Sequence, residues 1–296
     1  MTPDVPAEAE EAAARAAKAA GVAVRELATL TELEAAIALF DEVWVPEAGN
    51  SSVRLDLLRA LTKAGNYASG AYDLASGQLL GACVGFFGPP SHAELHSHIA
   101  GVRPAGLGRS VGFTLKVHQR AWCLRRGVRV IAWTYDPLIR RNAYFNLVKL
   151  GAEPVEYLRN FYGVMDDAIN GGTETDRMLV HWELASAAAA QASAGMARPA
   201  SFAAERERGA AVALRADDHG RPVRGPILAD VGRRAVLVGV PADIEAMRLS
   251  DPELAAAWRS ALRDALVPPR ASGGRVTGFE RAGWYVVSPG AGRGED

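Results

Sequence analysis

The segment that most constrains the fold is His96–Gly112, HSHIAGVRPAGLGRSVG. A short apolar strand carrying two histidines runs into Val102, Arg103 and Pro104, and the glycine-punctuated turn Gly106–Gly112 then opens a long helix. Glycines between a strand and a helix let consecutive backbone N–H groups converge on an anion, helped by the positive end of the helix dipole. His96 and His98 are two residues apart on the strand, so they share one face, and imidazole moves a proton near neutral pH. An anion cradle beside a base points to transfer chemistry from a phosphate-bearing donor.

Bulk properties narrow the setting. A chain of 296 residues holds two modest domains or one extended one. A net charge of −1 supplies no basic field for nucleic acid or an anionic membrane, so neither is expected as a partner. Cys83 and Cys123 sit in apolar segments without metal-ligand spacing, which predicts buried free thiols, no metal and a cytoplasmic location. No run approaches the ~18 apolar residues of a membrane span, and the N-terminus lacks the basic start and apolar block of a signal peptide. Residues 1–20, rich in Ala and Glu, read as a flexible leader, either a frayed helix or disordered.

Periodicity predicts a strand at Val22–Leu27 and a helix through Trp44 opened by a capping box at Thr31–Glu34. A short helix follows at Val53–Ala64, then strands at Tyr67–Asp73 and Gln78–Phe87 joined by a hairpin, and a strand at Glu94–Val102. Next come a helix at Ser110–Arg126, a buried strand at Val128–Tyr135, a helix at Arg140–Leu150 stopped by Gly151, and strands at Pro154–Phe161 and Arg177–Leu184 around a polar loop. Ala/Ser-rich residues 187–205 form a linker or surface helix. Beyond it a smaller block reads strand, helix, helix, strand, strand, with Ile244, Met247, Leu249 and Trp258 as core.

The first half, read β-α-α-β-β-β-α-β-α-β-β from about Val24 to Leu184, resembles the GNAT superfamily of N-acetyltransferases. The pyrophosphate loop of that superfamily, Gln/Arg-x-x-Gly-x-Gly/Ala, aligns on Leu107-Gly108-Arg109-Ser110-Val111-Gly112, with Leu107 in place of the leading Gln/Arg and Ser110 in place of the middle glycine. Trp133–Pro137, Arg141–Asn146, Asn160–Asp167, Thr173–Arg177 and Val276–Phe279 together resemble one branch, predicted acyltransferases of about this length with an extra C-terminal part. The resemblance implies an α/β GNAT fold, a mixed, mostly antiparallel central sheet flanked by helices, with a smaller α+β C-terminal region. Its implied domains are the leader at 1–20, an acyl-CoA-binding domain at 21–186, the linker at 187–205, and a C-terminal region at 206–296 packed on the first.

It also implies an acyltransferase that moves an acetyl, or larger acyl such as succinyl, from acyl-CoA to a primary amine of a small molecule or amino acid by direct attack. Acyl-CoA is the co-substrate, held by Val102, Leu107, Gly108, Arg109, Ser110, Val111, Gly112 and Asn142. A base is needed because an amine is protonated at neutral pH, and His98, His96 and then Glu94 are the candidates. A structural hydrogen-bonded pair and half of a metal site are the alternatives for the histidines. The position that often holds a general-acid Tyr is Leu147 here, which leaves Tyr144, one helical turn earlier and otherwise core, and Tyr162 as candidate acids. Asn160, Asp166, Asp167 and Arg177 are expected to meet the acceptor, against the alternative that each charge is merely solvated. A homodimer through the C-terminal block stays open. The departures at Leu107, Ser110 and Leu147 support the competing reading, a GNAT-like binding or assembly protein with degraded catalysis.

Overall fold

The computed structural model describes residues 4–44, 51–165, 173–271 and 273–290. They form two compact units. The first is Met1–Trp133 with His181–Met196, and the second is Thr134–Val180 with Ala197–Asp296.

The first unit opens with helix α1 (Val5–Ala20), capped by Asp4 and closed by left-handed Gly21. The expected leader is therefore, from Val5 on, an ordered helix. Ala9 and Ala12 bury its small-residue face, and Glu8 pairs at 2.7 Å with the fully buried guanidinium of Arg120. Strand β1 (Val22–Glu26) follows, then α2 (Leu30–Trp44) and α3 (Leu55–Lys63). The capping box of α2 lies two residues earlier than its expected place. Glu32 accepts from the amides of Ala28 and Thr29 at 2.9 Å, and Thr29 Oγ1 accepts from the Glu32 amide at 3.3 Å. Those amide bonds, with Arg25, hold the Glu32 carboxyl down to about 2.

Strands β2 (Tyr67–Asp73), β3 (Leu79–Phe87) and β4 (Glu94–Val102) continue an antiparallel ladder from β1, and β5 (Val130–Tyr135) joins β4 in parallel. Leu33, Leu39 and Phe40 of α2 and Leu58 of α3 bury one face of this sheet with Ala82 and Val84. Helix α4 (Val111–Leu124) lies on the other face, where Leu115 and Val111 approach Gly81.

In the second unit Arg140–Ala143 forms a short α5, and the chain continues as a π-helical turn, Tyr144–Lys149, rather than one regular helix. Strands β6 (Glu153–Leu158), β7 (Val164–Met165), β8 (Thr173–Glu174) and β9 (Arg177–Glu183) follow, with β7 paired to β8 and β9 crossing back into the first unit. The Ala/Ser-rich stretch is not a free linker. Helix α6 (Ala187–Ser193), capped by Ser186, buries Ala189 and Ala192 in the first unit, and α7 (Phe202–Glu207) belongs to the second. A five-stranded sheet is built from β10 (Ala211–Ala216), β11 (Pro222–Arg224), β12 (Val236–Gly239), β13 (Arg275–Glu280) and β14 (Trp284–Ser288) in the order β11-β10-β12-β14-β13. Helices α8 (Ile244–Ser250) and α9 (Pro252–Ala271) complete it. Trp258 is buried and donates to Gly220 O at 2.8 Å.

Two expectations about this region change. Leu249 is 77% exposed, while its neighbour Arg248 is buried, because the Asp136 carboxylate draws the guanidinium inward. Residues 134–180 group with the C-terminal region, not with 21–133. Their polar groups are tied there: Tyr285 donates to Pro137 O at 2.8 Å, Arg259 donates to Asp136 at 2.9 Å, and Arg263 pairs with Asp176 at 2.8 Å.

Candidate active site

The first unit brings the histidines and the glycine turn onto consecutive elements. Strands β4 and β5 pair over three positions, Glu94↔Val130, Leu95↔Ile131 and His96↔Ala132, and pairing stops there while β4 runs on to Val102. On its other side β4 is bulged. Gly85 faces Ser97 and Val84 faces Ile99, so His98 is the extra residue. A bulge leaves its residue out of the ladder and re-aims the side chain. His98 therefore sits where the parallel pair has opened, on a stretch of backbone without a strand partner on the β5 side.

His96 and His98 share a face, as their spacing predicts. Their ring centroids are 6.4 Å apart, and Phe86 lies 5.1 Å from one and 5.7 Å from the other. Burial takes the His96 pKa down to about 4, with further lowering from His98 and Lys116. His96 is thus neutral at physiological pH and a weak base. His98 is exposed as a residue, yet enough of its ring is covered that desolvation lowers its pKa. Glu94 lies on the same face, with Oε2 3.9 Å from His181 Nε2. His181 went unnoticed in the sequence because an isolated histidine on a strand carries no pattern. Among the described residues no group of three His, Cys, Asp or Glu is placed to hold a metal.

Lys116 was also missed. It is buried on α4 behind β4, where Nζ donates to Ser97 Oγ at 2.7 Å and to Gln119 Oε1 at 3.3 Å and lies 3.9 Å over the Trp133 ring. Burial pulls its pKa down to about 8. Ser97 is the residue between the two histidines, so the ammonium braces the back of the strand that presents them. Cys83 is nearby, with its Sγ 3.7 Å from Ser97 Oγ. Burial pushes both cysteine thiols up, so neither is an activated nucleophile.

After β4 the chain makes a 3-10 turn at Pro104–Gly106, exposes Leu107, and turns through Gly108 at φ +77° and Ser110 at φ +62° into α4. The first backbone bond of α4 is Thr114 N to Ser110 O at 3.0 Å. The amides of Val111, Gly112 and Phe113 therefore have no acceptor within the helix. The Ser110 side chain caps none of them, and no acidic residue stands in the first turn. The positive end of the helix dipole is therefore not compensated by a side chain of that first turn. A Cβ at Gly112 would meet only Val102, at an ordinary 3.6 Å, so packing within the chain does not demand glycine there. Arg109 points away from the cradle. Its Nη2 donates to Asp73 Oδ1 at 2.6 Å, Ala20 O at 3.1 Å and Gly21 O at 3.3 Å, stapling the turn from behind.

Several solved acetyltransferase structures are similar to part of this chain. They include the ribosomal-protein-S18-alanine N-acetyltransferase of Escherichia coli, at 14% identity over 56% of this chain and 96% of that one, with a TM-score of 0.45. An N-acetyltransferase from Staphylococcus aureus has 14% identity, 55% and 98% coverage and a TM-score of 0.45. A GNAT superfamily phosphinothricin acetyltransferase from Sinorhizobium meliloti, in complex with AcCoA, has 15% identity, 54% and 87% coverage and a TM-score of 0.45. No protein-family model matches the chain, and no curated protein does.

The other candidate residues lie in the second unit. Asn142 is half-buried on α5. Tyr144 opens the π-helical turn with the Arg281 guanidinium 5.8 Å from its ring centroid. Tyr162 is exposed, its hydroxyl 3.2 Å from Thr134 Oγ1. Asn160, at φ +42°, spends its carboxamide oxygen on the Thr175 amide at 3.1 Å and donates its own amide to Asp176 at 3.0 Å. These two bonds hold the turn. Arg177 lies 3.8 Å from Asp136 Oδ2 and 5.4 Å from the Tyr162 ring centroid. Asp166 and Asp167 lie outside the described residues.

Proposed function

We propose that this protein is an acyl-CoA-dependent N-acyltransferase. The opened parallel pair at His96 and His98, running into an uncompensated helix N-terminus at Val111, is the observation that carries the reading. Acyl-CoA supplies the electrophilic thioester carbonyl and the thiol leaving group. The amides of Gly108, Ser110, Val111 and Gly112 hold its pyrophosphate, with Val102 and Leu107 flanking. The unpaired edge of β4 beyond His96 hydrogen-bonds the amides of the pantetheine arm as a neighbouring strand would.

His98 takes the proton from the acceptor's ammonium, and His96 and Glu94 extend its polar face. The freed amine attacks the carbonyl carbon directly. A C–N bond forms, the C–S bond breaks, and the thiolate regains a proton. A covalent detour through Cys83 or Cys123 is disfavoured, because both thiols are buried and protonated. The acceptor is a primary amine of a small molecule or amino acid, and the acyl group is acetyl or a larger acyl such as succinyl. Calorimetric titration with acetyl-CoA and succinyl-CoA, followed by thiol release across an amine panel, tests this. Absence of binding to either thioester overturns it.

A second reading, a binding or assembly module without turnover, draws on exposed Leu107 and left-handed Ser110 at two positions of the cradle. Tight CoA binding with no thiol release for any amine selects that reading.

A further inference from the structure

We propose that the second unit carries a binding site for a small carboxylic acid with an apolar body, formed by Arg259 and Arg177 beside Asp136. Asp136 is fully engaged. Its Oδ1 accepts the Leu138 amide at 3.0 Å, and its Oδ2 accepts from Arg248 and, at 2.9 Å, from Arg259 Nη2. The other terminal nitrogen of Arg259, Nη1, is buried and has no hydrogen-bond partner among the described residues. Arg259 as a whole is only 4% exposed. A buried donor on a charged group that makes no bond is costly, and native structures resolve it with a ligand, an ion or ordered water.

The guanidinium plane matches a carboxylate better than a spherical ion. The same unit builds that pairing internally, where Arg263 meets both oxygens of Asp176 at 2.8 Å. Arg177 stands beside Arg259, with Nη1 3.8 Å from the same Asp136 oxygen and donating to Asp176 O at 3.1 Å, and 11% of its side chain is exposed. Beside Arg177 stand Tyr162 and Phe161, both exposed and packed edge to face at 4.7 Å. This aromatic pair supplies an apolar wall next to the cation, and so selects an acid with an aromatic or branched aliphatic body over acetate.

The site does not depend on acyl transfer. The experiment uses the full chain without CoA and titrates phenylacetate, phenylacetamide, acetate and chloride, read by calorimetry and thermal shift. Phenylacetate is expected to bind and raise the Tm, acetate to bind at least tenfold more weakly, and phenylacetamide and chloride to leave the protein unchanged. Arg259→Lys is expected to weaken phenylacetate at least tenfold. Arg177→Gln, at a partly exposed position, gives the same loss if the first variant does not fold. No phenylacetate binding, equal stabilisation by phenylacetamide or chloride, or unchanged affinity in a folded variant overturns the proposal. A chain that binds phenylacetate but no acyl-CoA overturns the acyltransferase reading alone.

Discussion

Removing the Lys116 ammonium should change how stability responds to alkali. Burial lowers its pKa from 10.5 to about 8. Between those values the unfolded chain holds a proton that the folded chain has released, so folding from this group gains stability as pH rises. The gap spans two and a half tenfold steps in proton affinity at about 1.4 kcal/mol each, so the full gain is on the order of 3 kcal/mol. At pH 7 Lys116→Met removes that charge-burial cost but strands Ser97 Oγ and Gln119 Oε1, at about 1–3 kcal/mol each. The two effects nearly cancel at pH 7.

Buried Cys83, Cys123 and Tyr67 act the other way. Their pKa values are raised in the fold, so the unfolded chain ionises first and stability falls with pH. Tyr67 acts alike in both proteins, whereas the two thiols are held lower by Lys116 and rise further in the variant, which adds to the difference in the same direction. Urea unfolding of wild type and Lys116→Met at pH 7, 8, 9 and 10 should show the wild type gaining, relative to the variant, by about 3 kcal/mol across the series. Parallel curves would falsify the buried, charged state of Lys116.

Further tests address the site and the second unit. His98→Gln should lower kcat/KM by roughly 10²–10⁴-fold with the acyl-CoA Kd unchanged, and should abolish an acid limb centred below the usual histidine value, because burial lowers the His98 pKa; steady-state pH profiles read both. Gly112→Ala should weaken acyl-CoA about tenfold, roughly 1.4 kcal/mol, with little change in Tm, since the added Cβ meets only Val102 at an ordinary contact distance. Asp136→Asn should destabilise by about 3–5 kcal/mol in denaturant melts, because it removes the carboxylate facing buried Arg248 and Arg259. His118 is held neutral by burial, with its pKa down at about 4. Its stabilising contribution is therefore full above about pH 6.5 and lost as pH falls toward 4, a drop of about 3 kcal/mol that His118→Gln should flatten.

Local signals located the elements better than their partners. Strand β4 falls on its expected bounds because Glu94–Val102 is flanked by a proline-rich turn and a glycine turn. Strands β10 and β11 were missed, although Asp217–Gly220 between them has the composition of a tight turn. The histidine pair and the glycine turn were legible because both are short-range patterns. Lys116, Gln119 and Arg120 were not, because all three are polar residues buried on a helix whose apolar residues fall on several sides. What makes them interior is supplied from far away, by Ser97, Glu8 and Leu184. Arg248 was passed over for Leu249 for the same reason, since its partner Asp136 is more than a hundred positions upstream.

Arg120 also ties the assembly of the first unit to two distant parts of the chain. Its guanidinium is fully buried and is satisfied by Glu8 near the start of the chain and by the carbonyl of Leu184 near the end of the first unit. During synthesis the amino-terminal helix leaves the ribosome first, yet the charge it neutralises keeps an unmet donor until Leu184 has emerged. A chain stalled between those points carries a cation with half its partners, which favours keeping α1 undocked until the unit can close. Trimming the first twenty residues would leave every molecule in the converse state, with the Leu184 carbonyl in place and the Glu8 carboxylate gone from the buried guanidinium.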